Sequence, residues 1–243
     1  MRTYPVKTPG IVQSIFGRYR WRFQIDKKPA HGQDREVYLT FDDGPIPEIT
    51  PWVLKKLSEY NAKATFFCVG ENVKKHPQIF QKIITDRHSV GNHTHNHLNG
   101  WRTNKEEYLN NIDKAEMSFQ SRWPSGSVSS PHRYRNQSSL QKQTTPNHQL
   151  STNLFRPPYG KIKKNQANKI IKKGYDIVMW DVLSGDFDLS LSKETCLKNV
   201  LKNTNSGSIV VFHDSEKAFK NLEYVLPKTL AYFIEKGYVF KAI

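Results

Sequence analysis

From Val37 onward, short apolar runs of four to six residues alternate with longer segments whose apolar residues recur at helical spacing. That alternation restricts the fold more than any other feature, because it is the pattern of repeated β/α units around a mostly parallel sheet or barrel. It predicts strands at Val37–Asp42, Ala64–Val69, Ser89–Asn92, Asp176–Asp181, Ser208–His213 and Tyr238–Lys241. Helices are expected at Thr50–Tyr60, Val73–Thr85, Lys105–Ser118, Asn165–Lys173, Lys193–Asn203 and Ala218–Lys236, with Gly174 and Gly237 where two of them should stop. A chain of 243 residues with 37% hydrophobic content can bury one large core, so a single α/β domain over residues 36–243 is expected.

Two segments stand outside the pattern. Residues 1–35 form a basic, aromatic lead-in in which Trp21 and Phe23 are placed to pack on the body. Between Ser121 and Asn153 the composition turns to Ser, Gln, Thr, Asn and Pro, with four basic residues and no acidic one, which is expected to be a long polar loop. Cys68 lies within the apolar run Thr65–Val69 and reads as a buried strand thiol, far in sequence from Cys196. The excess of 37 basic over 22 acidic residues, a formal charge of +15, favours contact with nucleic acid, an anionic polymer or lipid headgroups. No nucleic-acid module signature accompanies it, so no nucleic-acid partner is expected. No stretch approaches the apolar length of a membrane span, and no signal peptide is visible, which makes the cytoplasm the expected compartment by sequence.

Five clusters carry reactive side chains. Thr40-Phe41-Asp42-Asp43-Gly44-Pro45 ends the first strand, where α/β folds place their working loops. In an extended strand end the two carboxylates would point opposite ways, one to a metal and the other to a water as base; Asp-Gly-Pro is also ordinary turn chemistry. Gly91-Asn92-His93-Thr94-His95-Asn96-His97 relates His93 and His97 as i and i+4, which on a helical turn puts both rings on one face and turns His95 away. Two imidazoles and one carboxylate leave a coordination position open, as in a catalytic metal site. In Phe155-Arg156-Pro157-Pro158-Tyr159-Gly160 the prolines stiffen the chain around Arg156 and Tyr159; a guanidinium beside a catalytic Asp would orient it and keep it ionised. Trp180 to Phe187 and Ile209 to Asp214 each close on a strand end, and His213 with a carboxylate nearby suits a general acid.

In order, TFDDGP, HTHNH, RPPYG, Asp186-Phe187 and VFH resemble the five motifs of the polysaccharide deacetylases, carbohydrate esterase family four, from about Val37 to Phe240. The resemblance implies a distorted (β/α) barrel, seven-stranded, with a groove at the C-terminal strand ends. It implies Asp42 as general base, Asp43, His93 and His97 as metal ligands, and Thr94 as the hydroxyl that steadies the histidine loop. It further implies Arg156 as brace of the base, the Tyr159 amide as an oxyanion donor, and His213 as general acid tuned by Asp186. The ion expected is zinc, with cobalt, nickel or manganese as alternatives. The substrate implied is an N-acetylglucosamine polymer such as peptidoglycan or chitin, which would place the action at the envelope or periplasm.

Phe187 stands where the family usually has Trp, and Val211 where it usually has Leu, so the acetyl pocket they wall, with Trp180 nearby, is expected to be wider. Two other readings stay open at this point: a metal-dependent hydrolase of small amides or O-acetyl esters on the same scaffold, and a non-catalytic binder of anionic polymer.

Overall fold

In a computed structural model, residues 4–24, 35–121 and 153–243 are described, and all structural statements below concern these. The polar stretch 121–153 therefore lies almost wholly outside the described residues.

Strand β1 (Arg35–Asp42) is central. Parallel strands β2 (Ala64–Cys68), β3 (Ser89–Asn92), β4 (Leu154–Phe155) and β5 (Asp176–Ile177) follow on one side, and β7 (Ile209–His213) and β6 (Val182–Leu183) on the other. The order β5-β4-β3-β2-β1-β7-β6 is a seven-strand parallel path that curls into a distorted barrel. A short eighth strand, β8 (Tyr238–Phe240), pairs with β1 off this path. Between strands run α2 (Ile49–Glu59), α3 (Gly70–Lys75), α4 (Pro77–Thr85), α5 (Lys105–Gln120), α6 (Lys164–Lys172), α7 (Lys193–Asn203) and α8 (Glu216–Glu235).

Strands buried on both faces need apolar residues at nearly every position, which is why β1, β2 and β7 read as continuous runs. Leu39 and Phe41 of β1, Phe66 of β2 and Phe212 of β7 face the helices and join Val53, Leu54, Phe80, Leu222 and Leu226 in the outer core. The opposite face fills the barrel with Tyr38, Phe67, Leu154, Val178 and Ile209. On that inner face of β1 the pattern continues through Thr40 to Asp42, so the strand delivers a carboxylate to the barrel mouth.

Two expectations are corrected. The helix expected over Val73–Thr85 is two, broken at His76 (φ −129°), because the residue before Pro77 is forced out of the helical region while Pro77 opens the next helix. The strand expected over Asp176–Asp181 stops at Ile177, and a separate strand forms at Val182–Leu183. The chain between them bends because its hydrogen bonds go elsewhere: the Met179 amide donates to the Arg20 carbonyl (2.7 Å) and the Asp181 amide to that of Ile209 (3.0 Å).

The gap between β5 and β6 is occupied by the N-terminal segment, which contains helix α1 (Gly10–Ile15). Arg20 bridges Val178 in parallel, while Lys7 and Arg22 bridge Val182 and Ser208 in antiparallel fashion. Trp21 is buried in a cluster with Phe155, Ile170 and Ile177, and Phe23 stacks on Tyr38 at 4.0 Å between ring centroids.

Candidate active site

At the C-terminal ends of β1, β3, β4, β6 and β7 the structure gathers eight of the side chains or loops singled out by sequence: Asp42, Asp43, His93, His97, Arg156, Tyr159, Asp186 and His213. Asp42 is held from below. Arg156, fully buried, spends its guanidinium on Asp42 Oδ1 (2.7 Å), Thr40 Oγ1 (2.7 Å) and the carbonyls of Val178 (3.1 Å) and Met179 (2.8 Å). A buried charge is tolerable only when paired and fully bonded, and these two groups provide that for each other.

Asp43 lies one residue past the end of β1 at φ 87°, so a left-handed turn, rather than strand alternation, separates the two carboxylates. Its Oδ1 lies 3.2 Å from His97 Nε2 and 3.8 Å from His93 Nε2. The outer nitrogens are also taken: His93 Nδ1 meets the Arg156 carbonyl at 2.8 Å, and His97 Nδ1 the Tyr159 hydroxyl at 3.2 Å. Fixing Nδ1 in this way presents both Nε2 atoms to one point.

The backbone carrying the pair is not the helical turn expected from the i, i+4 spacing. Thr94 and His97 have φ of 63° and 54°, and the loop is tied by side chains instead. Thr94 Oγ1 accepts the Leu98 amide (3.0 Å), and Asn111 Oδ1 from α5 accepts those of His95 (2.7 Å) and Asn96 (3.0 Å). Of the seven described non-glycine residues at positive φ, Asp43, Thr94, His97 and Tyr159 belong to this site, the clustering expected where a rigid surround holds strained backbone for function.

Asp43, His93 and His97 bring one ligand atom each within 4.8 Å of one another. Burial pushes His93 down to about 4, so its imidazole is neutral at neutral pH, as a ligand must be. Burial alone would raise Asp43; the hydrogen bond from His97 and the positive charge at His213 outweigh it and hold the carboxyl well below the usual range. Two oriented imidazoles and one carboxylate fit a divalent transition ion.

Across the mouth, His213 Nδ1 pairs with Asp186 Oδ1 at 2.8 Å, and the His213 amide donates to Asp186 Oδ2 at 2.8 Å. Asp186 is itself buried and accepts from Ser184 Oγ (2.8 Å) and the Phe187 amide (3.0 Å). Burial would lower His213, but the Asp186 charge and hydrogen bond reverse it, and the imidazole is raised to about 9. Phe187 packs edge-on against His213 at 5.0 Å, with Tyr4 of the N-terminal segment behind it at 5.3 Å. Val211 is buried beside Thr40 and Leu183 in the sheet, and Trp180 lies half-buried beneath Gly160, 5.9 Å from the Arg156 guanidinium.

Sequence reasoning passed over Asp214, which locks the first loop. Its Oδ1 accepts the Gly44 amide (3.0 Å) and its Oδ2 is 2.6 Å from Thr50 Oγ1. A Cβ on Gly44 would fall 2.0 Å from that carboxylate, so the residue after Asp43 must be glycine. The signal available was the adjacency of Asp214 to His213.

A family model described as polysaccharide deacetylase matches residues 30–178. The chain belongs to the polysaccharide deacetylase family. Among curated members, a peptidoglycan-N-acetylglucosamine deacetylase of Bacillus cereus is 36% identical over 180 residues, 74% of this chain and 56% of its own length. The chain thus spans little more than half of that relative. A second B. cereus deacetylase of the same name is 30% identical over 211 residues, 86% of this chain and 87% of its own. A chitooligosaccharide deacetylase of Azorhizobium caulinodans is 32% identical over 178 residues, 73% of each chain. Among solved structures, the Bc1960 peptidoglycan N-acetylglucosamine deacetylase bound to an N-hydroxybenzamide superposes with a TM-score of 0.75 at 30% identity, covering 97% of this chain and 95% of that one. A Bacillus anthracis family member described as a pseudoenzyme shares the fold (TM-score 0.70, 21% identity, 92% of this chain and 66% of that one). The polysaccharide deacetylase fold thus carries both enzymes and a pseudoenzyme.

Proposed function

We propose that the protein is a metal-dependent N-deacetylase of N-acetylglucosamine polymers, acting on envelope material such as peptidoglycan or on chitin-like chains. The observation that carries this reading is the convergence at one barrel mouth of three separately braced units: Asp42 on Arg156, Asp43 with His93 and His97, and His213 on Asp186. A divalent cation on Asp43, His93 and His97, with zinc the best match to the donors, would lower the pKa of a bound water and polarise the acetamide carbonyl.

The chain's own groups account for the proton movements. Arg156 holds Asp42 Oδ1 in place, which leaves Oδ2 to take the proton of the water attacking the carbonyl carbon. The Tyr159 amide is assigned to the oxyanion that develops on the carbonyl oxygen. His213 has Nδ1 committed to Asp186, which leaves Nε2 to protonate the nitrogen as the C–N bond breaks. Acetate and a free amino sugar result.

The test is acetate release from N-acetylglucosamine oligomers and peptidoglycan, with zinc or cobalt supplied and then chelated. Activity should vanish on chelation, and Asp42→Asn should lose at least about 100-fold in kcat. No acetate from either substrate with metal present would overturn the reading. Acetate only from small amides or O-acetyl esters would keep the site and change the substrate.

A further inference from the structure

Trp101 is 60% exposed, yet both its backbone and its indole are tethered. Its backbone amide donates to Asn99 Oδ1 (3.0 Å), and its indole Nε1 donates to the Ile162 carbonyl (3.2 Å). Lys161 Nζ lies 5.4 Å from its ring centroid, a cation–π contact from the flank. The preceding residue has to be glycine for this docking, since a Cβ on Gly100 would meet the Lys161 carbonyl oxygen at 2.4 Å. The turn is closed by Thr103, whose Oγ1 donates to the Asn99 carbonyl (2.9 Å) and whose own carbonyl accepts Lys163 Nζ (2.9 Å) and Gln166 Nε2 (3.2 Å).

These contacts join two loops that both come directly from the site. Trp101 follows His97 by four residues, and Lys161 follows Tyr159 by two. Tyr159 is equally exposed at 60%, and its ring sits edge-on to His97 at 4.6 Å. Two large aromatic side chains are therefore presented to solvent, Tyr159 against a metal-ligand candidate and Trp101 on the loop that continues from it, both fixed in advance by hydrogen bonds. Leaving an indole face in water costs transfer free energy. The apolar C–H face of a pyranose ring is the flat, partly apolar surface that such a face accepts, with the ring hydroxyls left to water.

We propose that Trp101 is a sugar-stacking residue, binding a pyranose of the glycan chain next to the unit whose acetamide is at Asp43, His93 and His97. This rests on the deacetylase reading for the identity of the chain, and on the loop geometry for the platform. Because Trp101 touches a neighbouring unit rather than the reacting one, its effect belongs in chain-length preference.

The experiment compares full-length wild-type protein, Trp101→Ala and Trp101→Tyr, metal-loaded, on the N-acetylglucosamine pentamer and dimer, with calorimetric binding of the pentamer measured in parallel. Trp101→Ala is expected to raise KM for the pentamer about tenfold with kcat kept within twofold, leave the dimer unchanged, and be largely rescued by the flat ring of Trp101→Tyr. An unchanged pentamer-to-dimer ratio of kcat/KM in Trp101→Ala, or a Tyr variant no better than Ala, would overturn it. If wild-type protein releases no acetate, the calorimetry decides alone: pentamer binding weakened by Trp101→Ala and recovered by Trp101→Tyr upholds the platform while the deacetylase reading falls. Binding that is absent or indifferent to Trp101 overturns the platform as well.

Discussion

Replacing Asp186 by Asn changes one charge and almost no volume, and its consequences follow from the pair it forms with His213. In the wild-type protein that carboxylate is the largest influence raising His213 from 6.5 to about 9, against burial acting the other way. With the charge gone, burial remains, and the imidazole should titrate at or below its ordinary value. At pH 7.5 the protonated fraction then falls from nearly complete to about one-tenth, a loss of about tenfold in the form able to donate a proton. Stability shifts in the same direction. Because the folded pKa of His213 is raised, its stabilisation is fully present below pH 6.5 and disappears as pH rises through about 9, an effect on the order of 3 kcal/mol. Asn also turns an amino group toward one of the donors that Asp186 accepts from, the His213 amide or the side on which His213 Nδ1, Ser184 and Phe187 converge. The assay is an NMR titration of His213 in metal-free protein, with urea melts across pH 6 to 10 alongside and the alkaline limb of kcat/KM in metal-loaded protein. A variant whose His213 still titrates near 9, or whose alkaline limb is unmoved, would refute the assignment of Asp186 as the group that holds the proton on His213.

Other perturbations should read out different parts of the site. Arg156→Met leaves the Asp42 carboxylate buried without its cation and should cost about 3–5 kcal/mol in urea unfolding; a loss under about 1 kcal/mol would show that the pair is not buried as described. Burial raises Asp214 to about 8, so its protonated form dominates at neutral pH and stability should fall as pH rises from about 4 towards 8. Asp214→Asn should flatten that slope, at a cost of less than about 1 kcal/mol at pH 7, whereas Asp214→Ala, which orphans the Gly44 amide, should lose about 1–3 kcal/mol. Tyr4→Ala removes the ring behind Phe187 and should lower kcat/KM roughly threefold to tenfold while Tyr4→Phe keeps it; equal activity in all three proteins would mean that this contact does not hold the His213 wall in place.

Much of the barrel was legible because strands buried on both faces announce themselves as apolar runs, and β1, β2, β3 and β7 fall within a residue or two of their expected limits. Strands β4 and β6, of two residues each, carry no period to detect; Phe155 pairs with Asn92 and Val182 with Val210 because the neighbours are already there. The break at His76 was written in Pro77, which a search for apolar spacing passes over. At the site, the i, i+4 relation singled out two histidines that the fold does bring together beside Asp43, on a backbone that is not a helical turn. Nothing local to His93–His97 says that Asn111, from the middle of α5, caps the loop, so a helical turn was the economical guess. The fourfold anchoring of Arg156 was likewise out of reach, since Thr40, Val178 and Met179 meet it only once the barrel has curled.

The N-terminal segment between β5 and β6 bears on where this protein can be cut. The family-model match begins at residue 30, yet Val6, Thr8 and Arg20 satisfy the amides of Leu183 and Met179 and the carbonyls of Asp181 and Ile177. A chain trimmed to the recognisable family boundary would expose those groups as two raw strand edges in one molecule, each able to pair with the other edge of a second copy. The folding unit is therefore larger than the segment that the family model matches, and a chain trimmed to that segment's start should emerge as swapped or aggregated species rather than as a smaller barrel.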